Sequence, residues 1–502
     1  MQSKLEELKN LLREAADLGS AGSVLNWDMT TKMPPGGAAA RGRQSALLER
    51  LAHEYSTHPA IGHLLDDLQP YAEGLPYEDE TAALLRETRR QYERLVKVPS
   101  SFIGEFSEHQ SAIYQAWSEA RPANDWPKVR PLLEKTLDYS RRLANYFPGY
   151  QHIADPLIDF SDYGMKAESV RRVFAELRAG LVPIIQAIAA NGPADDSCLR
   201  QHFPQGEQLA FAEGVIRELG YDFQRGRMDL SPHPFTTSFS IGDVRVTTRV
   251  REDDFGDCFF SAVHEAGHAM HAQGCNPAYD GSPLASFVSA ALAESQSRTW
   301  ENLVARSRPF WEYYFPRAQA AFPAQLGSLD LDSFYRAINK VTPSLVRTDA
   351  DEVTYNLHPM IRFDLELALL EGSLEVKDLP AAWHARYQSD LGVQAPDDRD
   401  GILQDVHWYS GPIGGAFQGY TLGNILSAMF FEQALSAHPE ITDQMRQGQF
   451  ATLHGWLKEK LYWPGARYTT DEYVQRVTGG EMTVQPLLRY FKQKYSEIYT
   501  LD

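Results

Sequence analysis

The sequence predicts an all-α protein, predominantly helical, with one small β-hairpin or sheet beside its chemically richest segment. Three observations carry this. Apolar residues recur at helical spacing through almost the whole chain. The connections between these segments are short and marked by Pro or Gly. Only 233–250 alternates β-branched and aromatic residues with the strand period.

Residues 3–18 put Leu5, Leu8, Leu11, Leu12 and Ala15 on one face, and Gly19 is expected to end that helix. Met33-Pro34-Pro35-Gly36-Gly37 breaks the chain before a helix over 38–57 with Leu47, Leu48 and Leu51 as its stripe. Residues 78–97 form the next helix, closed by Pro99. Further helices are expected over 101–120, 126–146, 166–190 and 205–220. The hairpin turns at Ile241-Gly242-Asp243, and a strand there could pair with an extended peptide or simply cover a helix end. Beyond it, helices are expected over the His264 segment, 284–305, 309–320, 331–340, 350–372, 379–391, 420–437, 447–460, 470–478 and 484–498. Between 401 and 420, glycines interleaved with His407, Trp408, Tyr409 and Tyr420 have the composition of a substrate-contacting loop.

The chain has 502 residues, a formal net charge of −19 and 43% hydrophobic residues, enough for a large core. That charge argues against nucleic acid or an anionic membrane as partner, because both need a basic surface. Cys198, Cys258 and Cys275 are too sparse for a metal cluster or a disulfide framework and suit a reducing cytoplasm. The charged first residues do not resemble a signal peptide, and no run of about 18 apolar residues predicts a membrane span. A soluble, cytoplasmic protein is expected.

The segment that organises the rest is Phe259 to His271, with His264-Glu265-Ala266-Gly267-His268 at its centre. On a helix, histidines four apart share a face and can reach one metal ion, while Glu265 is placed to take a proton from water. Phe259, Val263, Ala266 and Met270 form the buried stripe beside them. Gly267 costs about 1 kcal/mol of helix propensity, which close approach of another backbone or of substrate would justify. A catalytic zinc site needs a third protein ligand. Glu294, among small and apolar residues on the next helix, is the choice, with Glu301 as the alternative. An acid four residues after the ligand glutamate would orient a metal-binding histidine, but Arg298 stands there. Asp351, Glu352 and Asp405 are therefore the candidates for that carboxylate. His271 cannot converge with the other two on one tetrahedral ion and is expected to be structural or solvent-facing.

Several motifs together resemble the thermostable carboxypeptidase Taq family of zinc metallocarboxypeptidases. They are His233-Pro234-Phe235; Asp243, Arg245 and Thr247; the His264 motif; Glu294-Ser295-Gln296; Arg347, Ala350 and Asp351; and Gly401 to Trp408. Ala293 stands where the family commonly has histidine. Tyr420 matches the last tyrosine of the family's glycine loop, whose first tyrosine and proline are missing here, with Tyr409 in reserve. The resemblance implies a saddle-like helical molecule with a deep central groove, a homodimer, and release of single residues from peptide C-termini with broad specificity. One domain over 1–502 is expected, with 1–220 as a groove wall and 221–502 as the half with the metal site.

The combined expectation is hydrolysis assisted by Zn²⁺, or Co²⁺ or another divalent metal. His264, His268 and Glu294 hold the ion, Glu265 is the general base, and Tyr420 or a histidine (His233 or His407) steadies the oxyanion. Arg347 is expected to take the terminal carboxylate, with His233 and His407 beside the substrate. Arg245 is expected to be structural. An endo-oligopeptidase and a non-catalytic helical binding protein are the alternatives.

Overall fold

The computed structural model describes residues 1–499, and these are predominantly helical around one three-stranded sheet. Helix α1 (Gln2–Thr31) continues through Gly19 and Gly22 rather than stopping at Gly19. Each glycine costs about 1 kcal/mol, but the second half packs along α2 (Ala38–Ser56) and carries Trp27 to the sheet, 4.6 Å from the Arg245 guanidinium. Helix α3 (Pro59–Glu73) was not anticipated, although Ile61, Leu64, Leu65 and Leu68 repeat at helical spacing and are all buried. With α1 and α4 (Glu80–Lys97) it shares a small core that also takes in Ile241, Cys275, Tyr279 and Leu284.

Helices α5 (Ser100–Ala123), α6 (Trp126–Asn145), a short unanticipated α7 (Asp155–Ser161), α8 (Ala167–Ala190) and α9 (Gln205–Leu219) follow. By length and composition α8 is apolar enough to cross a membrane, with a mean hydropathy of 1.5 over its best window, so the expectation that no segment qualifies is corrected. Its stripe of Val170, Phe174, Leu177, Leu181, Ile185 and Ile188 lies buried in the main core, however, and Arg178 pairs with Asp364 and Asp390.

The sheet has the order β1-β3-β2, from β1 (Met228–Leu230), β2 (Thr236–Ser240) and β3 (Asp243–Thr248). The expected hairpin is β2–β3, antiparallel with an irregularity between Ser238 and Ser240. β1 joins β3 in parallel and was not anticipated, because three residues carry no readable period. Arg245 pairs with Asp243 and lies over Trp27 and Phe239, the structural role expected of it.

Helix α10 (Phe255–Gly274) carries the His264 motif, capped by Asp254, whose Oδ1 accepts from Gly256 N–H at 2.8 Å. The predicted 284–305 helix begins later, as α11 (Ala290–Arg298), and opens into a π-turn over Thr299–Val304. Ser289 caps it, and the buried Asp162 accepts from Ala291 N–H at 2.8 Å. The remaining helices are α12 (Arg308–Ala321), α13 (Pro323–Leu326), α14 (Leu331–Ile338), α15 (Leu357–Glu371), α16 (Leu379–Leu391), α17 (Gln418–Ala437), α18 (Ile441–Met445), α19 (Ala451–Leu457), α20 (Thr470–Thr478) and α21 (Gln485–Tyr499). Residues 350–353 are not helical as expected, because the Asp351 side chain accepts from Val353 and Thr354 N–H and holds a turn.

Two glycines explain the packing around α11. A Cβ on Gly267 would lie 2.7 Å from Ser297 Cα, so α10 and α11 touch backbone to backbone. A Cβ on Gly423 would lie 2.6 Å from Glu294 Cβ, which lets α17 press on the other side of the same helix. The main core draws on residues from Ile113 to Tyr499 and includes both α10 and α17.

Candidate metal centre

The helical pitch of α10 brings His264 and His268 to one face, with ring centroids 5.0 Å apart. Glu294 reaches them from α11. Its Oε2 lies 3.7 Å from His264 Nε2 and 3.5 Å from His268 Nε2. Two ligands of a tetrahedral ion with bonds of about 2.0–2.1 Å stand roughly 3.3–3.5 Å apart, so these three donor atoms fit one ion of that kind. They are also the only group of three such donors so disposed among the described residues. The histidine side chains keep 18% and 19% of their surface exposed, so the cluster is open on one side.

The carboxylate that orients His264 is Glu301. Its Oε2 accepts from Nδ1 at 2.9 Å, which fixes the tautomer and turns Nε2 toward Glu294. This corrects the three candidates named from sequence. Asp351 caps the turn before α15, Glu352 is buried against Lys494 at 2.9 Å, and Asp405 binds arginines and His407. A signal was available, since 294 and 301 are seven residues apart and share a helix face. Arg298 between them donates to Glu294 Oε1 at 2.7 Å and to Glu301 Oε2 at 3.0 Å. Burial alone would raise the Glu301 carboxyl, but the Arg298 charge and the His264 hydrogen bond outweigh it and hold it at about 2. Burial is likewise overcome at Glu294, where Arg298 and the two histidines hold the carboxyl well below the usual range.

Glu265 is buried at 7% exposure, and its Oε2 accepts from Thr236 Oγ1 at 2.7 Å. Thr236 Oγ1 also lies 2.9 Å from Glu265 O, so the first residue of β2 holds the acid with one hydroxyl proton shared between its carboxylate and its main-chain carbonyl. That residue was missed, because nothing in a lone threonine of a strand marks it. Thr247, from the Asp-x-Arg-x-Thr motif, supports the clamp from behind, accepting from Phe235 N–H at 2.9 Å. His233 is exposed on the bend before β2, its Nδ1 3.0 Å from Pro234 O, and it makes no hydrogen bond to the cluster among the described residues.

Arg347, His407 and Tyr420 come together as a second group. Arg347 Nε donates to Asp405 at 3.1 Å and Nη1 to Tyr355 OH at 3.1 Å, while its guanidinium lies 4.8 Å from the Tyr420 ring centre. Its Nη2 has no hydrogen bond among the described residues. Asp405 also accepts from Arg362 and His407, and these partners, against the effect of burial, hold it well below the usual carboxylate range. His407 Nε2 is 3.3 Å from Tyr420 OH, and burial pushes that phenol up to about 12 against the opposing charge of Arg347. Tyr355 links the two groups, since its ring lies 4.3 Å from the Arg298 guanidinium. Tyr409, the reserve, is fully buried and donates to Ile402 O, away from any open face.

His271 is structural. It is 5% exposed, flanked by the rings of Phe287 and Tyr462, and burial lowers it to about 3, which removes the solvent-facing alternative. Cys258 and Cys275 are free and buried, as small hydrophobes.

A helical shell thus brings two histidines of one helix and a carboxylate of the next to one point, beside a glutamate held by Thr236, which is the donor set that a metallopeptidase needs. The comparisons agree. A sequence model of the family described as carboxypeptidase Taq (M32) metallopeptidase matches residues 7–495, and the chain belongs to that family. It is 38% identical to thermostable carboxypeptidase 1 of Thermus thermophilus and 34% identical to carboxypeptidase 1 of Bacillus subtilis, each over 99% of both chains. The crystal structure of the M32 carboxypeptidase from Deinococcus radiodurans R1 superposes with a TM-score of 0.96 at 48% identity, over 99% of this chain and 100% of that one. The protein is thus a metal-dependent carboxypeptidase.

Proposed function

We propose that the enzyme uses zinc and releases single residues from the C-termini of peptides with broad specificity, with His264, His268 and Glu294 as the metal ligands. The observation that carries this reading is the convergence of two Nε2 atoms and one carboxylate oxygen beside the clamped Glu265. Two imidazoles and one carboxylate suit Zn²⁺, and Co²⁺ or another divalent ion could occupy the same donors. When bound, the ion supplies a Lewis acid that polarises the scissile carbonyl and acidifies water.

Glu265 takes the proton of the attacking water and passes it to the leaving amine. Thr236 keeps its carboxylate in one orientation, so little reorganisation is needed at that step. Tyr420, protonated at neutral pH, donates to the oxygen that gains charge. Arg347 takes the substrate's terminal carboxylate through Nη2, since Nε and Nη1 are already engaged. His407 orients Tyr420 from the substrate side, and His233 is assigned to substrate binding on the bend that leads to Thr236. The proposed assembly is a homodimer, from the family resemblance, and a soluble, cytoplasmic protein, from the composition and the sparse cysteines. Peptides are its partners, and the net charge of −19 disfavours nucleic acid and membrane surfaces.

Matched peptides with free and amidated C-termini test the terminal clamp. Stepwise loss of single residues from the free-acid peptide is expected, with the amidated one at least tenfold slower and R347Q reducing that difference. Internal cleavage of both at equal rates would overturn the clamp. Metal analysis of protein purified without added ions tests the zinc assignment.

A further inference from the structure

Beside α11, the helix that carries Glu294, lies a cavity of about 380 Å³ that the mechanism above does not use. Its walls include Arg90 and Arg94 of α4, Phe160 of α7 and Tyr163 just after it, Phe287 before α11 and Ala293 within it. Ala290, also in the wall, lies four residues before Glu294 and on the same face of α11, which places the cavity about one turn from the proposed metal ligand. Phe287 also packs against His271, one turn beyond His268.

The two arginines differ. Arg90 binds Glu87 through Nε and Nη2 and lies over the Tyr163 ring at 4.2 Å, so its charge is answered. Arg94 is half-buried, 4.3 Å from the Phe160 ring centre, and has neither ion pair nor hydrogen bond among the described residues. Burial, and then the neighbouring Arg90 charge, lower its pKa from the ordinary arginine value. Asp159, in the cavity wall, accepts from Gly164 N–H at 2.8 Å, and its charge favours the charged Arg94 without forming an ion pair or hydrogen bond with it. At the rim, Phe160 and Phe287 are 41% and 42% exposed, an unusual amount of open aromatic surface on two residues facing one cavity.

A guanidinium without a partner, flanked by exposed aromatic rings, has the makings of a site for a carboxylate on a short apolar stem. We propose that this cavity is a side-chain subsite of the peptide-binding surface, in which Arg94 pairs with a glutamate or aspartate side chain of the substrate and Phe160 and Phe287 cover its methylenes. The proposal rests on the reading of His264, His268 and Glu294 as the reaction centre.

The test moves a single Glu, or its neutral match Gln, through the last four positions of an otherwise uncharged peptide, and compares kcat/KM for the metal-loaded wild type, R94Q and R94K. At one position the wild type should prefer Glu by roughly five- to fiftyfold. R94Q should lose that preference, with the Glu peptides falling more than the Gln peptides, and R94K should keep part of it. Equal rates for Glu and Gln at all four positions, or a preference that survives in R94Q, would overturn the subsite. A uniform loss in R94Q on every peptide would also overturn it, because it would make Arg94 a general or structural contact. Release of C-terminal residues from the Gln peptides monitors the carboxypeptidase reaction separately, so failure of the subsite and failure of the metal site are distinguishable.

Discussion

At the scale of single residues, Glu265 and Glu301 do different work on the two sides of His264. Glu265 lies beside the open face with its carboxylate clamped by Thr236, whereas Glu301 sits behind the ring and holds Nδ1. Substitution should separate the two roles. E265Q removes the proton acceptor but no metal donor, so kcat should fall by about 10²- to 10⁴-fold. Metal content, measured on the same samples, should stay at the wild-type level. E301Q leaves the acceptor intact but weakens the support of a ligand, so metal affinity should fall about 10- to 100-fold. Competition against a chelator measures that directly. An E301Q protein that binds metal as tightly as wild type would remove Glu301 from the site.

At the scale of elements, the site depends on three helices brought closer than side chains would allow. Gly267 admits the backbone of α11 to α10, and Gly423 admits Glu294 to α17. A methyl group at either position meets atoms that cannot move cheaply, in the first case backbone. G267A and G423A should therefore each destabilise the protein by about 1–3 kcal/mol, read as a lower urea midpoint, and both should weaken metal binding by displacing Glu294. Gly104, in α5, is the control: nothing lies within 4 Å of its added Cβ. G104A should stabilise by about 0.4–1 kcal/mol, because it only lowers the entropy of the unfolded chain. The π-turn after α11 belongs to this scale too. It keeps Glu301 directed at His264 while Trp300 stays fully buried on the far side.

At the scale of the whole molecule, the glycine-rich 401–417 segment is fastened to the helical body by buried polar contacts. One is Trp408 Nε1 donating to Glu366 Oε1 of α15 at 2.8 Å. Burial raises the Glu366 carboxyl from 4.5 to about 7. Between those values the folded protein holds a proton that the unfolded chain has released, so this group's contribution to stability falls as the pH rises from 4.5 to 7. The glutamine of E366Q carries no such proton. Its melting temperature, compared with that of wild type, should gain steadily over this window, up to the equivalent of about 3 kcal/mol. A difference that does not change with pH would show that Glu366 does not titrate there.

The periodicity of apolar residues determined the helical class, most element positions and the hairpin, because burial of one helix or strand face is a local pattern. The His264–His268 spacing and the isolation of Glu294 among small residues made the proposed ligand set legible for the same reason, since each depends on the pitch of one helix. Where the sequence misled, the deciding contacts were distant in the chain. Packing on α2 and the sheet carried α1 through Gly19, and Thr236 found Glu265 only because β2 lies against α10. The carboxylate behind His264 proved to be Glu301 rather than Asp405, because Arg298 holds Glu294 and Glu301 together while Arg347 and Arg362 draw Asp405 away. The local sequence thus determined which side chains could meet at a metal. Which of them do meet, and which arginine is left without a partner beside them, was decided by long-range packing and charge pairing, which no local period records.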